Sequence, residues 1–158
     1  RFMFHIVIEH PPEDEELEVV RATTAIIDPH FTRPVNGEDL IAFQRLVRRV
    51  PVADAVMRYA LSLVRTSRPK AKNAPDSVKK FVAFGASVRA AQFLVLGAKA
   101  RALTSGRYHV SFEDIRAMAH PVLRHRVLMN FRAESEGITT DSIIDELLSA
   151  VAVPKSGM

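Results

Sequence analysis

Apolar residues recur at helical spacing over most of this chain. Residues three or four positions apart share one face of a helix, so an apolar pattern at that spacing predicts a helix with one buried face. From Glu38 onward the pattern stays helical to the end. Successive faces comprise Leu40, Phe43, Val47 and Val50; Val52, Val56, Tyr59, Ala60 and Leu63; and Ile143, Ile144, Leu147, Leu148 and Val151. A further short helix is predicted over residues 76–81, ahead of Gly85.

The first ten residues, RFMFHIVIEH, predict a strand. Both of its faces carry apolar side chains, which is typical of a strand inside a sheet that is covered on both sides. No second strand of this quality is visible in the sequence, so we expect it to be the last strand of a sheet whose other strands are missing. Pro11, Pro12 and the acidic residues 13–16 then predict a helix start, where negative charge is favourable.

A long central helix is predicted from Ser87 to about Thr104, with Gly106 as its stop. Ser87 is a natural N-cap, and Gly85 allows a tight entry into the helix. Arg89 then lies near the second helical position, where the helix start and the guanidinium both favour an anion. The alternative is that Arg89 is an ordinary surface arginine on the polar stripe of this helix.

The segment VSFEDIRAMAHPVLRH carries a clear helix-start signal. Ser111 can accept the N–H of Asp114, and the Asp114 side chain can reach back to Ser111, as in a capping box. Pro121 is expected to kink or end this helix, because proline has no N–H to donate.

Composition limits the classes of function. The chain has 158 residues, of which 47% are hydrophobic, and a formal net charge of +4. A chain of this length can bury roughly 70% of its unfolded surface, enough for one good core. The absence of cysteine excludes disulfides and thiolate metal sites and suits a reducing compartment, so we expect a cytoplasmic protein. No apolar run approaches the roughly 20 residues that span a bilayer.

The candidate metal and nucleophile sites are weak. His5 and His10, like His120 and His125, are five residues apart and so do not share a helix face, and no metal site is predicted. His125 is expected to be solvated or to contact a neighbouring element. No serine or cysteine nucleophile has an obvious base.

The basic loop could contact nucleic acid through Arg65, Arg68, Lys70, Lys72, Lys79 and Lys80. It lacks interleaved aromatic residues, however, and a solvated loop is the favoured interpretation.

Several longer segments resemble one family. GASVRAAQFLVLGAKARALTSGRYHVSFEDIRAMAHPVLRHRV is similar to the sensor 2 helix and the following turn of MoxR-family AAA+ ATPases. RFMFHIVIEHPPEDEE resembles the family's D-R-F segment, its strand and the acidic helix that follows. VADAVMRYALSLVRTSRP resembles the second lid helix, and EGITTDSIIDELLSAV the last one. The resemblance covers nearly the whole chain and corresponds to the C-terminal part of the family.

The resemblance implies roles for three residues. Arg89 occupies the arginine position of the G-A-S-x-R motif and would be sensor 2, which approaches the terminal phosphates of the nucleotide; Ser87 is the N-cap beside it. Arg1 occupies the arginine position of D-R-F and would be the finger that one subunit inserts into its neighbour's site, a catalytic contact in trans. The sequence departs from the family at Val88, where proline is usual, which we expect to be a mild loss.

The resemblance also implies a fold. We expect a mainly α structure, an AAA+ helical lid bundle preceded by one strand and one helix left over from a truncated α/β ATPase core. Residues 1–36 would be the core remnant and connecting loop, 37–153 the lid, and 154–158 a tail. The sequence contains neither a G-x-x-x-x-G-K-[ST] motif nor a Walker B strand, so the chain alone is not expected to bind or hydrolyse ATP.

The function implied for the longer parent protein is ATP hydrolysis with Mg²⁺ in a ring, expected to be a hexamer. The parent would remodel partners as a chaperone does, or insert a metal cofactor into them. Partners of the family carry a von Willebrand factor A domain or are metalloenzyme clients. Nucleic acid is not an expected partner, and two alternatives remain: a helical nucleic-acid-binding module and an interaction scaffold without a nucleotide role.

Overall fold

The computed structural model describes residues 2–26 and 31–154, and within these ranges it contains nine helices and two short strands. Arg1 and residues 27–30 and 155–158 lie outside the described residues. The elements are α1 Glu13–Thr24, α2 Gly37–Arg49, α3 Asp54–Thr66, α4 Asp76–Phe81, β1 Val82–Phe84, α5 Val88–Thr104, α6 Phe112–Ala117, α7 Ala119–Leu123, β2 Leu128–Met129, α8 Phe131–Ser135 and α9 Thr140–Ala150. The mainly α class predicted from the sequence is confirmed.

Helix α5 is the centre of the bundle and contacts α2, α3, α6 and α7. Its buried face consists of Ala90, Leu94, Ala98 and Ala102, four residues apart along the helix. These mostly small side chains let the neighbouring helices approach closely. At Gly97 the neighbouring side chains leave little room for a Cβ, since an added one would lie 2.9 Å from Sδ of Met118 and 3.2 Å from Cζ of Phe4. The central helix was predicted from residue 87 to 104, and the structure confirms it.

The strand predicted over residues 1–10 is wrong for the described part, residues 2–10, which carry no strand. A strand needs a hydrogen-bonded neighbour, and the described residues offer none beside this segment. The segment lies across the helices instead: the N–H of His5 donates to the carbonyl of Pro121 at 2.7 Å. Ile6 and Ile8 stay largely exposed, because no second layer covers them within the described chain.

The only sheet among the described residues joins two segments that are far apart in sequence. Strand β1 pairs antiparallel with β2, with Val82 opposite Met129 and Phe84 opposite Leu128. Strand β1 and the short helix α8 were not predicted from the sequence. Three-residue strands contain too little alternation to stand out in a sequence.

Buried Asp114 anchors the turn between α5 and α6. Its side chain is 0% exposed and accepts hydrogen bonds from Nη1 of Arg101 at 2.6 Å, from Nη1 of Arg107 at 2.6 Å and from the Ser111 N–H at 2.9 Å. The Ser111 hydroxyl and Asp114 form the predicted capping box. Hydrogen bonds from Arg107, followed by those from Ser111 and Arg101, hold the pKa of the Asp114 carboxyl well below its usual range.

The helix that begins after Ser111 is interrupted, as expected from Pro121: α6 ends at Ala117, the residue whose carbonyl a proline at position 121 cannot bond. Met118 separates the two helices, and Pro121 occupies the third position of α7. Proline is tolerated there because the first-turn N–H groups have no intrahelical acceptor.

Helices α1 and α2 contain no buried residue. On α2, the predicted face is only partly covered: Leu40 and Phe43 are each more than half exposed. Among the described residues, no helix is both long and apolar enough to cross a membrane.

The C-terminal end of α5 at Gly106 allows a test of the fold. Gly106 has φ +70°, and the N–H groups of Gly106 and Arg107 bond to the carbonyls of Leu103 and Ala102, as in a Schellman motif. We expect Gly106→Ala to lower the free energy of unfolding by about 1–2 kcal/mol, because a side chain disfavours this left-handed conformation. Chemical denaturation measures the change. Gly37→Ala is the control, since Gly37 has no atom within 4 Å of an added Cβ and no positive φ; an equal loss in both variants would contradict the assignment.

Candidate functional site

Arg89 lies on the surface at the start of α5. It is the second residue of the helix, and its side chain is exposed. No carboxylate or hydrogen-bond acceptor of residues 2–26 or 31–154 is paired with its guanidinium. As far as the described residues are concerned, its five N–H donors are therefore free to meet a ligand, and the positive end of the helix dipole lies beside them.

The turn before Arg89 is held against the end of α3. The Ala86 N–H donates to the Ser67 hydroxyl at 2.9 Å, and Nε of Arg68 donates to the Ala86 carbonyl at 3.1 Å. At Gly85 the two backbones touch, since an added Cβ would lie 2.4 Å from the Ser67 carbonyl oxygen and 2.6 Å from Cα of Arg68. Glycine is required here by close approach, because its φ is not positive.

Ser87 occupies the N-cap position with extended backbone, at φ −89° and ψ 173°, but its side chain makes no capping hydrogen bond. The predicted position is confirmed and the predicted cap bond is wrong. A hydroxyl caps a helix only when its rotamer aims the oxygen at the N2 or N3 N–H. The Ser87 hydroxyl thus does not occupy the first-turn N–H groups of α5 next to Arg89.

A second cation, Arg126, lies near Arg89 and was not singled out in the sequence. Burial, and after it the positive charge of Arg89, lowers the pKa of the Arg126 guanidinium. Arg126 stacks over the ring of Phe93 at 4.9 Å from the centroid, one helical turn beyond Arg89. Arg126 is the last residue of the segment PVLRHR, which lies in the stretch that resembles the family, and this is the feature of the sequence that could have indicated it. Two neighbouring cations at one end of α5 make this end of the bundle a favourable place for an anion.

Arg126 also joins α7 to the start of the chain. Its guanidinium donates to the Val122 carbonyl at 2.6 Å, to the Met3 carbonyl at 3.2 Å and to the Phe2 carbonyl. Nε2 of His125 lies 3.2 Å from the same Phe2 oxygen, so the expectation that His125 contacts a neighbouring element is confirmed. Burial lowers the pKa of His125, and the Phe2 carbonyl opposes that shift only in part. Arg1, the predicted finger, lies outside the described residues.

The other two candidates from the sequence are a metal site and the basic loop. No group of three or more His, Asp or Glu side chains that could hold a metal ion occurs in the described ranges. In the basic loop, Arg65, Lys70 and Lys72 line a depression beside Asn73. Half-buried Arg68 lines the same depression, and its Nε donates to the Ala86 carbonyl, so it belongs to the turn before Arg89 as much as to the loop.

Comparison with known proteins identifies a family of ATPases. A model of the AAA lid domain matches residues 76–147, which include α4, α5 and the Arg89 turn. The chaperone MoxR1 of Mycobacterium tuberculosis is 30% identical over 155 residues, which are 98% of this chain and 41% of that protein. Bacillus subtilis YeaC, an uncharacterized protein, is 32% identical over 98% of this chain and 46% of its own length.

A solved structure agrees with the sequence relatives. The crystal structure of a protein assigned as an ATPase, from Cytophaga hutchinsonii, superposes with a TM-score of 0.89 at 31% identity, over 98% of this chain and 47% of that one. The chain thus spans less than half the length of each of these relatives. The lid-domain match, the sequence relatives and the structural match agree with one another, and together they are consistent with the C-terminal part of a MoxR-family AAA+ ATPase.

Proposed function

We propose that this chain is the lid of a longer ATPase and that Arg89 is its sensor 2 residue. The observation that carries the proposal is the exposed guanidinium without a protein partner in the described chain, fixed at the start of a packed helix. In this role Arg89 contacts the terminal phosphates of ATP, so that the position of the lid depends on the nucleotide state. Residues 37–153 form the lid in this proposal, residues 1–36 belong to the ATPase core, and 154–158 are a tail.

The residues present fit a nucleotide phosphate. Arg89 offers a planar donor set that matches phosphate oxygens, and Arg126 adds a second positive charge nearby. ATP and Mg²⁺ supply the chemistry of phosphoryl transfer in the full-length protein. The motifs that would hold them, Walker A and Walker B, are not in this sequence.

Arg1 is proposed as the arginine finger that acts in the site of a neighbouring subunit. The support is indirect: the carbonyls of Phe2 and Met3, which follow Arg1, are bound by Arg126 of the lid. Such a finger stabilises the charge of the transition state and contributes ~10³–10⁵ in rate in related chemistry. The role requires a ring, and we propose a hexamer.

The work done with ATP is proposed to be chaperone-like remodelling of partner proteins, or insertion of a cofactor into them. One relative is named a chaperone, which supports the first. Partners with a von Willebrand factor A domain, or metalloenzyme clients, are proposed from the family resemblance.

A direct test compares the full-length protein with the isolated 158-residue chain. We expect Mg²⁺-dependent release of phosphate from ATP by the full-length protein and none above background from the chain alone, because the phosphate-cradling Walker motifs lie elsewhere. A coupled phosphate assay measures both. ATP turnover by the isolated chain would overturn the proposal. A folded full-length protein that shows no ATP turnover would overturn it as well.

A further inference from the structure

The end of α3 carries a polar contact that packing alone does not explain. Ser67 is 0% exposed, and a hydroxyl at such a position costs free energy unless it is hydrogen-bonded. Its O–H donates to the Val64 carbonyl at 2.7 Å, and its oxygen accepts the Ala86 N–H at 2.9 Å. Because the donor and an acceptor position are both used, the hydroxyl has one orientation, and it fixes the Ala86 peptide relative to α3.

Arg68, the residue after Ser67, binds the carbonyl group of Ala86. Nε of Arg68 donates to the Ala86 carbonyl at 3.1 Å. Ala86 is 1% exposed and stands three residues before Arg89. The N–H and the C=O of Ala86 are thus bound by two consecutive residues, Ser67 and Arg68, that directly follow α3. They lie 19 and 18 residues earlier in the chain, so this is not a local turn.

Gly85 removes the remaining freedom of this turn. The backbone of Gly85 lies so close to Ser67 and Arg68 that no side chain fits between them. The contact is with backbone atoms, which cannot move aside as the end of a flexible side chain can. The start of α5 is therefore fixed by the two residues that follow α3 and not by a side-chain capping bond, since the Ser87 side chain makes none in the described structure.

We propose that Ser67 and Arg68 are positioning residues for Arg89: through Ala86 they set the point and direction at which the arginine leaves the bundle. This inference rests on the proposed contact of Arg89 with the nucleotide. A displacement of 1 Å far from the reacting atoms can cost roughly 100-fold in rate, so a clamp on the preceding turn has a functional consequence beyond stability.

The test uses Ser67→Ala in the full-length ATPase, alone and combined with Arg89→Ala. We expect Ser67→Ala to lower ATP turnover per folded molecule by about tenfold, a fraction of the cost of a full misplacement, with the affinity for ADP unchanged. In the Arg89→Ala background, Ser67→Ala should change turnover by less than about twofold, because residues that act as a unit are not additive. A purely structural role would give the same factor in both backgrounds.

Gly85→Ala and Ile143→Val complete the design. Gly85→Ala displaces the same turn and should reproduce the turnover loss of Ser67→Ala. Ile143→Val, at a buried position of α9 with no hydrogen bond to the turn, is the control for lost stability and should leave turnover within about twofold. Thermal melts of every variant define the temperature at which all of them are folded.

Two outcomes separate this inference from the proposed function. If Arg89→Ala lowers turnover while folded Ser67→Ala and Gly85→Ala stay within twofold of the unsubstituted protein, the positioning role is overturned and the proposed function stands. If Arg89→Ala itself leaves turnover unchanged, the proposed function is overturned and this inference with it.

Discussion

Replacing Arg89 with alanine in the full-length ATPase is expected to lower ATP turnover by roughly 100-fold, the scale seen when one donor to a developing negative charge is removed. The structure leaves this guanidinium exposed and without a partner among residues 2–26 and 31–154. Affinity for ATP should fall more than affinity for ADP, because the proposed contact is with the terminal phosphate. Steady-state phosphate release and nucleotide titration measure the two effects.

Arg132→Ala is the matched control for this experiment. Arg132 is also an exposed arginine, but it pairs at 2.8 Å with Glu136, the residue directly after α8, and such surface pairs contribute little to stability. Turnover of this variant should equal that of the unsubstituted protein. Unchanged turnover and unchanged nucleotide affinity in Arg89→Ala would remove Arg89 from the mechanism.

Replacing Asp114 with asparagine is expected to lower the free energy of unfolding by about 3 kcal/mol, because a fully buried carboxylate loses its charge-assisted bonds to Arg101 and Arg107. The capping box with Ser111 is weakened at the same time. Urea denaturation followed by circular dichroism measures the loss. Asp76→Asn is the control: Asp76 is almost fully exposed and, within the part of the chain that the structure describes, pairs only with Lys79, so its loss should be below about 0.5 kcal/mol. Equal losses would contradict a special role for Asp114.

The same carboxylate gives the pH dependence a definite sign. The pKa of Asp114 is lowered in the folded chain, mainly by Arg107, relative to about 3.9 for an unfolded aspartate. Its contribution to stability is therefore complete above pH ~4 and is lost as the pH falls towards the lowered value, because the unfolded chain binds the proton first. Stability measured between pH 7 and pH 2 should fall less steeply in Asp114→Asn than in the unsubstituted protein.

The helices of the lid are predictable from sequence because their signals are local. The α5 boundaries follow from Ser87, from the apolar run and from Gly106, whose left-handed conformation needs glycine. The capping box at Ser111 and Asp114 is likewise complete within four residues. Each of these signals acts over one or two helical turns, so the chain around it matters little.

The contacts that fix the candidate site are not local, and the sequence did not reveal them. Arg89 was identified because a family motif contains it. In the sequence, Ser67 is an ordinary polar residue of a basic loop, and its role becomes visible only when the fold places Ala86 beside it. The pairing of β1 with β2 joins segments more than 40 residues apart. In the first ten residues the sequence instead predicted an element that the structure lacks. Their pattern favours a strand, but strand formation depends on a partner that the described residues lack.

The four-sided packing of α5 determines how a signal at Arg89 can travel. A helix in contact with α2, α3, α6 and α7 cannot rotate about its own axis without opening the core of the bundle. If Arg89 contacts a nucleotide phosphate as proposed, a pull on its guanidinium either turns that one side chain or moves α5 together with the helices packed around it. In the second case the gain or loss of one phosphate group moves the helical bundle as one rigid unit.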